Sequence, residues 1–142
     1  MKNRNIKHSD NWQTPPELYN DLHNEFKFDF DPCPLNHNLD LWDGLEIDWG
    51  ISNFINPPYS RKLKDAFVKK AIAESKKNKL CVLLLPVSTS TILFHDYILP
   101  NKKEIRFIKR RVKFIGYNTF GVKVSNIAGM HDSMIVVLKK GI

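Results

Sequence analysis

Only two of the 142 residues are cysteine and six are glycine, and nothing in the chain approaches the length of an apolar membrane span. Cys33 and Cys81 are too few for a disulfide scaffold and lack zinc-site spacing; Cys81 sits inside an apolar run and reads as a small core residue. The longest apolar stretch, around Cys81 to Leu85, is far too short to cross a bilayer. The polar N-terminus does not read as a signal peptide, so a cytoplasmic protein is expected. His8, His23, His37, His95 and His131 show no ligand spacing, and no metal is expected. Internal repeats, low-complexity tracts and linkers are also missing. Acidic residues are the scarcer charge: 15 Asp and Glu against 22 Lys and Arg leave a formal +7. That excess favours a polyanionic partner, which gains from counterion release.

What is present is ordinary for a soluble globular protein, with 42% hydrophobic and 26% charged residues. The length suits one domain, residues 1–142, with a real core and no separate second unit. Thr14-Pro15-Pro16-Glu17 has the form of a capping box with proline at the first helical position. Leu18, Leu22 and Phe26 then follow at four-residue steps, giving one apolar helical stripe. Phe28 to Asp31 alternates apolar and acidic residues, as a strand does, and Pro32 stops it. Residues 34–50 read as a loop, and Phe54-Ile55 as a short buried strand. Ser60 is placed to cap a second helix whose Leu63, Phe67 and Ala71 share a face. Lys76-Lys77-Asn78-Lys79 reads as its solvated end. Leu80 to Leu85 is a fully buried strand, Thr91 to Ile98 a short helix, and Glu104 to Ile108, Val112 to Ile115 and Ser133 to Lys139 are strands. Residues 116–131 read as a long loop. The alternation of strand and helix predicts an α/β fold with a parallel sheet covered on both faces. Ligands on such sheets sit beyond the carboxyl ends of the strands, where Asp31 and Asn56 both fall.

Asn56-Pro57-Pro58-Tyr59 carries the most chemistry. The Asn56 amide oxygen and the Pro57 carbonyl can each accept an N–H from a flat, amino-bearing ring such as adenine. Two acceptors would draw that nitrogen toward tetrahedral geometry and bring out a lone pair otherwise delocalised into the ring. Pro57 and Pro58 stiffen the loop and remove competing donors, and Tyr59 offers a face for stacking. A plain turn after a strand explains the same four residues on turn propensity alone. The string resembles the catalytic motif of amino-methyltransferases that use S-adenosylmethionine.

The resemblance extends well beyond four residues. Trp12-Gln13-Thr14-Pro15, Phe28-Asp29-Phe30-Asp31-Pro32-Cys33, Asp43-Gly44-Leu45 and Asp48-Trp49 precede the motif. Leu84-Leu85-Pro86, Phe94-His95, Arg111-Val112-Lys113-Phe114 and Ser133 to Val137 follow it. Together, over roughly residues 11–138, they look like the phage DNA N6-adenine methyltransferase family. That resemblance implies a reduced Rossmann-like methyltransferase fold, mostly parallel with antiparallel C-terminal strands and helices on both faces. It also implies S-adenosylmethionine as methyl donor and duplex DNA as substrate. Asp31 is the candidate for the cofactor ribose diol, with turn-capping as its bland alternative; Asp43 is the candidate for the cofactor's adenine amine, with an Asp-Gly turn as the alternative. Thr14 tips toward the methionine end by resemblance, although helix capping already accounts for it. Pro32 and Cys33 complete the set, standing where many methyltransferases have a glycine-rich loop that this chain lacks. For DNA contact the candidates are Lys109, Arg111 and Lys113, three residues of one parity beside Phe107 and Phe114. Two other readings share these features: an amino-methyltransferase acting on RNA or a glutamine side chain, and a nucleic-acid-binding protein that has lost catalysis. A homodimer or a specificity partner is compatible with all of them.

Overall fold

A computed structural model describes residues 13–34, 43–58, 60–117, 123–125 and 131–139. Its centre is a four-stranded sheet in the order β1-β2-β6-β3, where β1 is Ser52–Ile55, β2 is Leu80–Pro86, β3 is Glu104–Phe107 and β6 is Ser133–Lys139. β1 and β2 pair in parallel, and β6 runs antiparallel to both β2 and β3. Three strands therefore point one way, and the final strand is inserted against them, as the resemblance implies.

β2 shows why the middle of the sequence is continuously apolar. Cys81, Leu83 and Leu85 face one layer, while Val82 and Leu84 face the other. A strand buried on both faces has no polar alternation to display. The first layer is α2 (Arg61–Ser75), packed through Phe67, Val68, Ala71 and Ile72 together with Phe94 and Ile98. The second is α1 (Pro16–Phe26), which brings Leu22 and the flanking Leu18 and Phe26 against Phe28, Phe54, Val112 and Phe114. Full burial of a side chain such as Phe67 stabilises the fold by about 1.5–3 kcal/mol.

Several local expectations are corrected. Thr14 does not cap α1: Pro15 occupies the cap position and no side chain bonds the free N–H groups. Pro16 does begin the helix, and Lys27 ends it in the left-handed region at φ 54°. Ser60 likewise stands at the cap position of α2 without a side-chain bond. Residues 28–31 form a single bridge, Phe30 to Asn53, instead of a strand. There the Asp29 carboxylate accepts the Ile51 and Ser52 N–H groups, and the prolines beyond have no N–H to extend a ladder. Residues 111–114 are irregular because Arg110 turns the chain at φ 67°; pairing resumes only in β4 (Ile115–Tyr117). β4 pairs with β5 (Lys123–Ser125), so a ribbon occupies part of the expected loop.

The expected helix after β2 is wound as a wide π turn over Leu93–Ile98 and continues into α3 (Leu99–Asn101). Pro100 supplies no N–H for the usual four-residue bond, and the Leu99 N–H reaches Phe94 O, five residues back. Lys77 and Lys79 are not merely a solvated helix end. They fold over Glu74, which is completely buried, and bond its carboxylate at 2.8 and 2.7 Å. Its Oε1 also accepts the Trp49 N–H at 2.7 Å, tying the loop before β1 to α2. Burial alone would raise this carboxyl, but the bonds from Lys77, Lys79 and Trp49, with Lys70 nearby, outweigh it and hold it down to about 2.

Candidate active site

β1 ends by delivering Asn56, half-buried, at the carboxyl edge of the sheet, followed by the buried Pro57 and Pro58. Two residues distant in sequence hold Asn56 in place. Its side-chain Nδ2 donates to Thr14 Oγ1 at 3.1 Å, which turns the amide oxygen away from Thr14. Its backbone carbonyl accepts the Cys33 Sγ–H at 3.4 Å. Thr14 is buried, and its approach is fixed by the bridge between Gln13 and Ile115, so the start of α1 and the start of β4 both anchor the Asn56 loop.

Cys33 joins Asn56 to the second half of the site. Its N–H donates to Asp31 Oδ1 at 2.9 Å, closing a turn over Pro32. Burial pushes the Asp31 carboxyl up to about 6, and the Cys33 N–H offsets only part of that rise. Tyr19, on α1, was not singled out from the sequence. Its partial burial and the nearby Asp31 charge hold its hydroxyl above the ordinary value, and its ring meets Phe54 edge-on at 5.2 Å between centroids.

Asp43 and Gly44 close the third side. Asp43 is buried and its Oδ1 accepts the Leu45 N–H at 2.9 Å, which is the turn role foreseen as the alternative. Gly44 packs directly on Pro32: a Cβ added there would lie 1.8 Å from the Pro32 carbonyl oxygen. The Trp49 indole N–H fixes the Gly44 carbonyl at 2.7 Å. The structure therefore gathers Thr14, Asp31, Pro32, Cys33, Asp43, Asn56 and Pro57 at one sheet edge. Tyr59 lies outside the described residues. No signal in the sequence links Thr14 to Asn56, since their contact depends on where α1 enters the fold.

Lys109, Arg111 and Lys113 are all exposed, as is Arg110 at the turn between the first two, while Val112 and Phe114 are buried. Arg111 Nε sits 3.4 Å from Asp132 at the start of β6, which is also the carboxyl edge of β2. Cys81, by contrast, is a core thiol pushed up to about 12 by burial, far from any reactive range. Among the described residues no cluster of His, Cys, Asp and Glu suits a metal ion.

Sequence comparison with known proteins shows where the chain belongs. The profile of the family described as DNA N-6-adenine-methyltransferase (Dam) matches residues 2–141. A DNA N-6-adenine-methyltransferase of Haemophilus phage HP1 (strain HP1c1) is 38% identical over 133 residues, covering 84% of this chain and 75% of that protein. A DNA N-6-adenine-methyltransferase of Escherichia phage T1 is 34% identical over 97 residues, covering 61% of this chain and 40% of that one. The family match runs through both halves of the site and through every described strand, so the chain belongs to the DNA N-6-adenine-methyltransferase family.

Proposed function

We propose that this chain transfers a methyl group from S-adenosylmethionine to the N6 amine of adenine in DNA, with Asn56 as the residue that activates the amine. The observation that carries the reading is the pinning of Asn56 from two sides, by Thr14 and by Cys33, at the carboxyl end of β1. A preorganised acceptor costs no reorganisation when charge develops on the nitrogen. The target base is turned out of the duplex, stacks on Tyr59, and offers its two amine hydrogens to Asn56 Oδ1 and the Pro57 carbonyl. Nitrogen attack makes the amine acidic, so its proton departs through these oxygens or water without a strong base.

The donor set suits the cofactor. Bound S-adenosylmethionine supplies an electrophilic methyl group on a positively charged sulfur. Asp31, whose carboxyl burial raises, is acceptor-only once ionised and suits the two hydroxyls of a ribose diol. Asp43 and Thr14 flank it with a carboxylate and a hydroxyl. In this reading Thr14 is a positioning residue for Asn56 as much as a cofactor contact. Expression in a host without adenine methylation, followed by sequencing of genomic DNA for N6-methyladenine, tests the proposal; unmodified DNA from a folded, expressed protein contradicts it.

A further inference from the structure

One side of the same sheet edge carries a cleft of about 370 Å³ that the catalytic residues do not use. Its floor is Leu85, Pro86 and Met134, the carboxyl end of β2 beside the start of β6. Its walls are α2, through Arg61, Lys64 and Lys69, and the π turn, through Phe94 and Tyr97. Three cations face a single acidic lining residue, Asp65.

The charges are arranged unlike many others on the molecule. Lys70, Lys77 and Lys79 each pair with Glu74, Lys77 also with Asp48, Arg106 with Glu25 and Glu104, and Arg111 with Asp132. Among the described residues neither Arg61 nor Lys64 pairs with an acidic side chain. Lys69 lies 4.8 Å from the Tyr97 ring centre, a contact that keeps its charge while fixing the side chain along the wall. Arg61 and Lys64 occupy the first turn of a 15-residue helix with no acidic residue in that turn, so the local field stays positive.

The cleft is close to the catalytic loop. Ile55 pairs with Leu83, so Asn56 is one strand away from Leu84 and diagonal to Pro86 in the cleft floor. Strand rise and spacing put the Asn56 and Pro86 Cα atoms about 8 Å apart. That is about two base-pair rises along the duplex axis, where the charges of one strand are spaced by about 3.4 Å. Volume, charge and distance suit the sugar-phosphate of a strand running past the target base, and the size lies in the ordinary range for small ligands.

We infer that the α2 and π-turn cleft, through Arg61, Lys64 and Lys69, holds DNA backbone phosphates beside the adenine to be methylated. This rests on the DNA-methylation reading above and adds to it a strand-holding surface distinct from Lys109, Arg111 and Lys113. The direct test replaces Arg61, Lys64 and Lys69 together by glutamine. An equal-charge control replaces Lys76, Lys102 and Lys103, exposed residues at the amino edge of the sheet. Duplex-DNA affinity is measured against salt by fluorescence anisotropy, with cofactor affinity measured separately by calorimetry. Expected for the cleft variant is a loss on the order of tenfold in DNA affinity, with the salt slope flattened by about 0.9 per lost contact. Its cofactor affinity should be unchanged, its KM for DNA raised and its kcat at saturating DNA retained. The control should stay near the parent. Equal losses in both variants would reduce the effect to net charge and overturn the inference. A cleft variant that matches a DNA-methylating parent overturns the inference alone. A parent that binds no DNA overturns the functional reading as well.

Discussion

Asn56 is the proposed chemical centre: the sequence sets an amide and two prolines after an apolar strand, and the structure delivers them at the carboxyl end of β1. Its supports were not legible. Thr14 reads in sequence as a helix cap, yet its hydroxyl holds the Asn56 amide 42 residues away. Thr14→Val should therefore lower kcat by about tenfold, the scale of misaligning one preorganised polar group, while Thr14→Ser restores most of it. An unchanged kcat with a raised cofactor Kd would return Thr14 to a cofactor role alone. Asp31 gives a pH signature. Its folded carboxyl titrates near 6, above the ordinary carboxylate, so the folded state holds its proton longer than the unfolded chain does. The stability from that extra proton is full below the ordinary carboxylate range and is lost as pH rises through 6. Diol binding needs the ionised form, so S-adenosylmethionine affinity should rise with pH up to about 6 and then level. Asp31→Asn should flatten that profile and weaken binding by about 1.5–3 kcal/mol, measured by calorimetry between pH 5 and 8. A parent profile flat across pH 6 would remove Asp31 from the cofactor contact.

Elements came through the sequence when both periodicity and burial agreed. β2 and β6 were found with their ends nearly intact, and the buried stripe of α2 was read from Leu63, Phe67 and Ala71. The misses fall where side chains replaced backbone partners. Asp29 took N–H groups that a ladder would have used, and Arg110 bent a segment whose alternation still buried Val112 and Phe114. Glu74 was hidden for a related reason, since its partners Lys77 and Lys79 looked like a solvated run. Glu74→Ala leaves the Trp49 N–H without its acceptor and Lys79 with only the Trp49 carbonyl, and should cost about 3–5 kcal/mol in urea unfolding. Its depressed carboxyl contributes stability that is present above the ordinary carboxylate range and lost as pH falls toward 2. Glu74→Gln should accordingly shed part of the parent's acid-unfolding limb. A loss below about 1 kcal/mol for the alanine variant would show a solvated cluster instead. Gly44→Ala should move the Asp43 turn off Pro32, lowering cofactor affinity while the sheet survives, because an added Cβ has no room against that backbone.

At the scale of the whole molecule, the sheet edge is where sequence order and spatial order part company. The chain visits that edge at Thr14, Asp31, Asp43 and Asn56 in turn, and again at Pro86 and Asp132, each visit separated by a helix, a loop or a strand. The family resemblance supplied the antiparallel final strand, which periodicity alone does not give, and the register of β6 against β2 and β3 agrees with it. The Asn56 loop, Asp31 and Asp43, and the basic cleft then share one rim because the topology returns to it. The central claim is that this rim methylates adenine through Asn56. Single-turnover transfer of tritium from labelled S-adenosylmethionine to adenine in duplex DNA tests it, with each variant's fold checked by thermal melting. The parent should transfer label to N6, and Asn56→Ala should do so about 10²–10³ more slowly. A folded Asn56→Ala protein that transfers label at the parental rate would contradict the account.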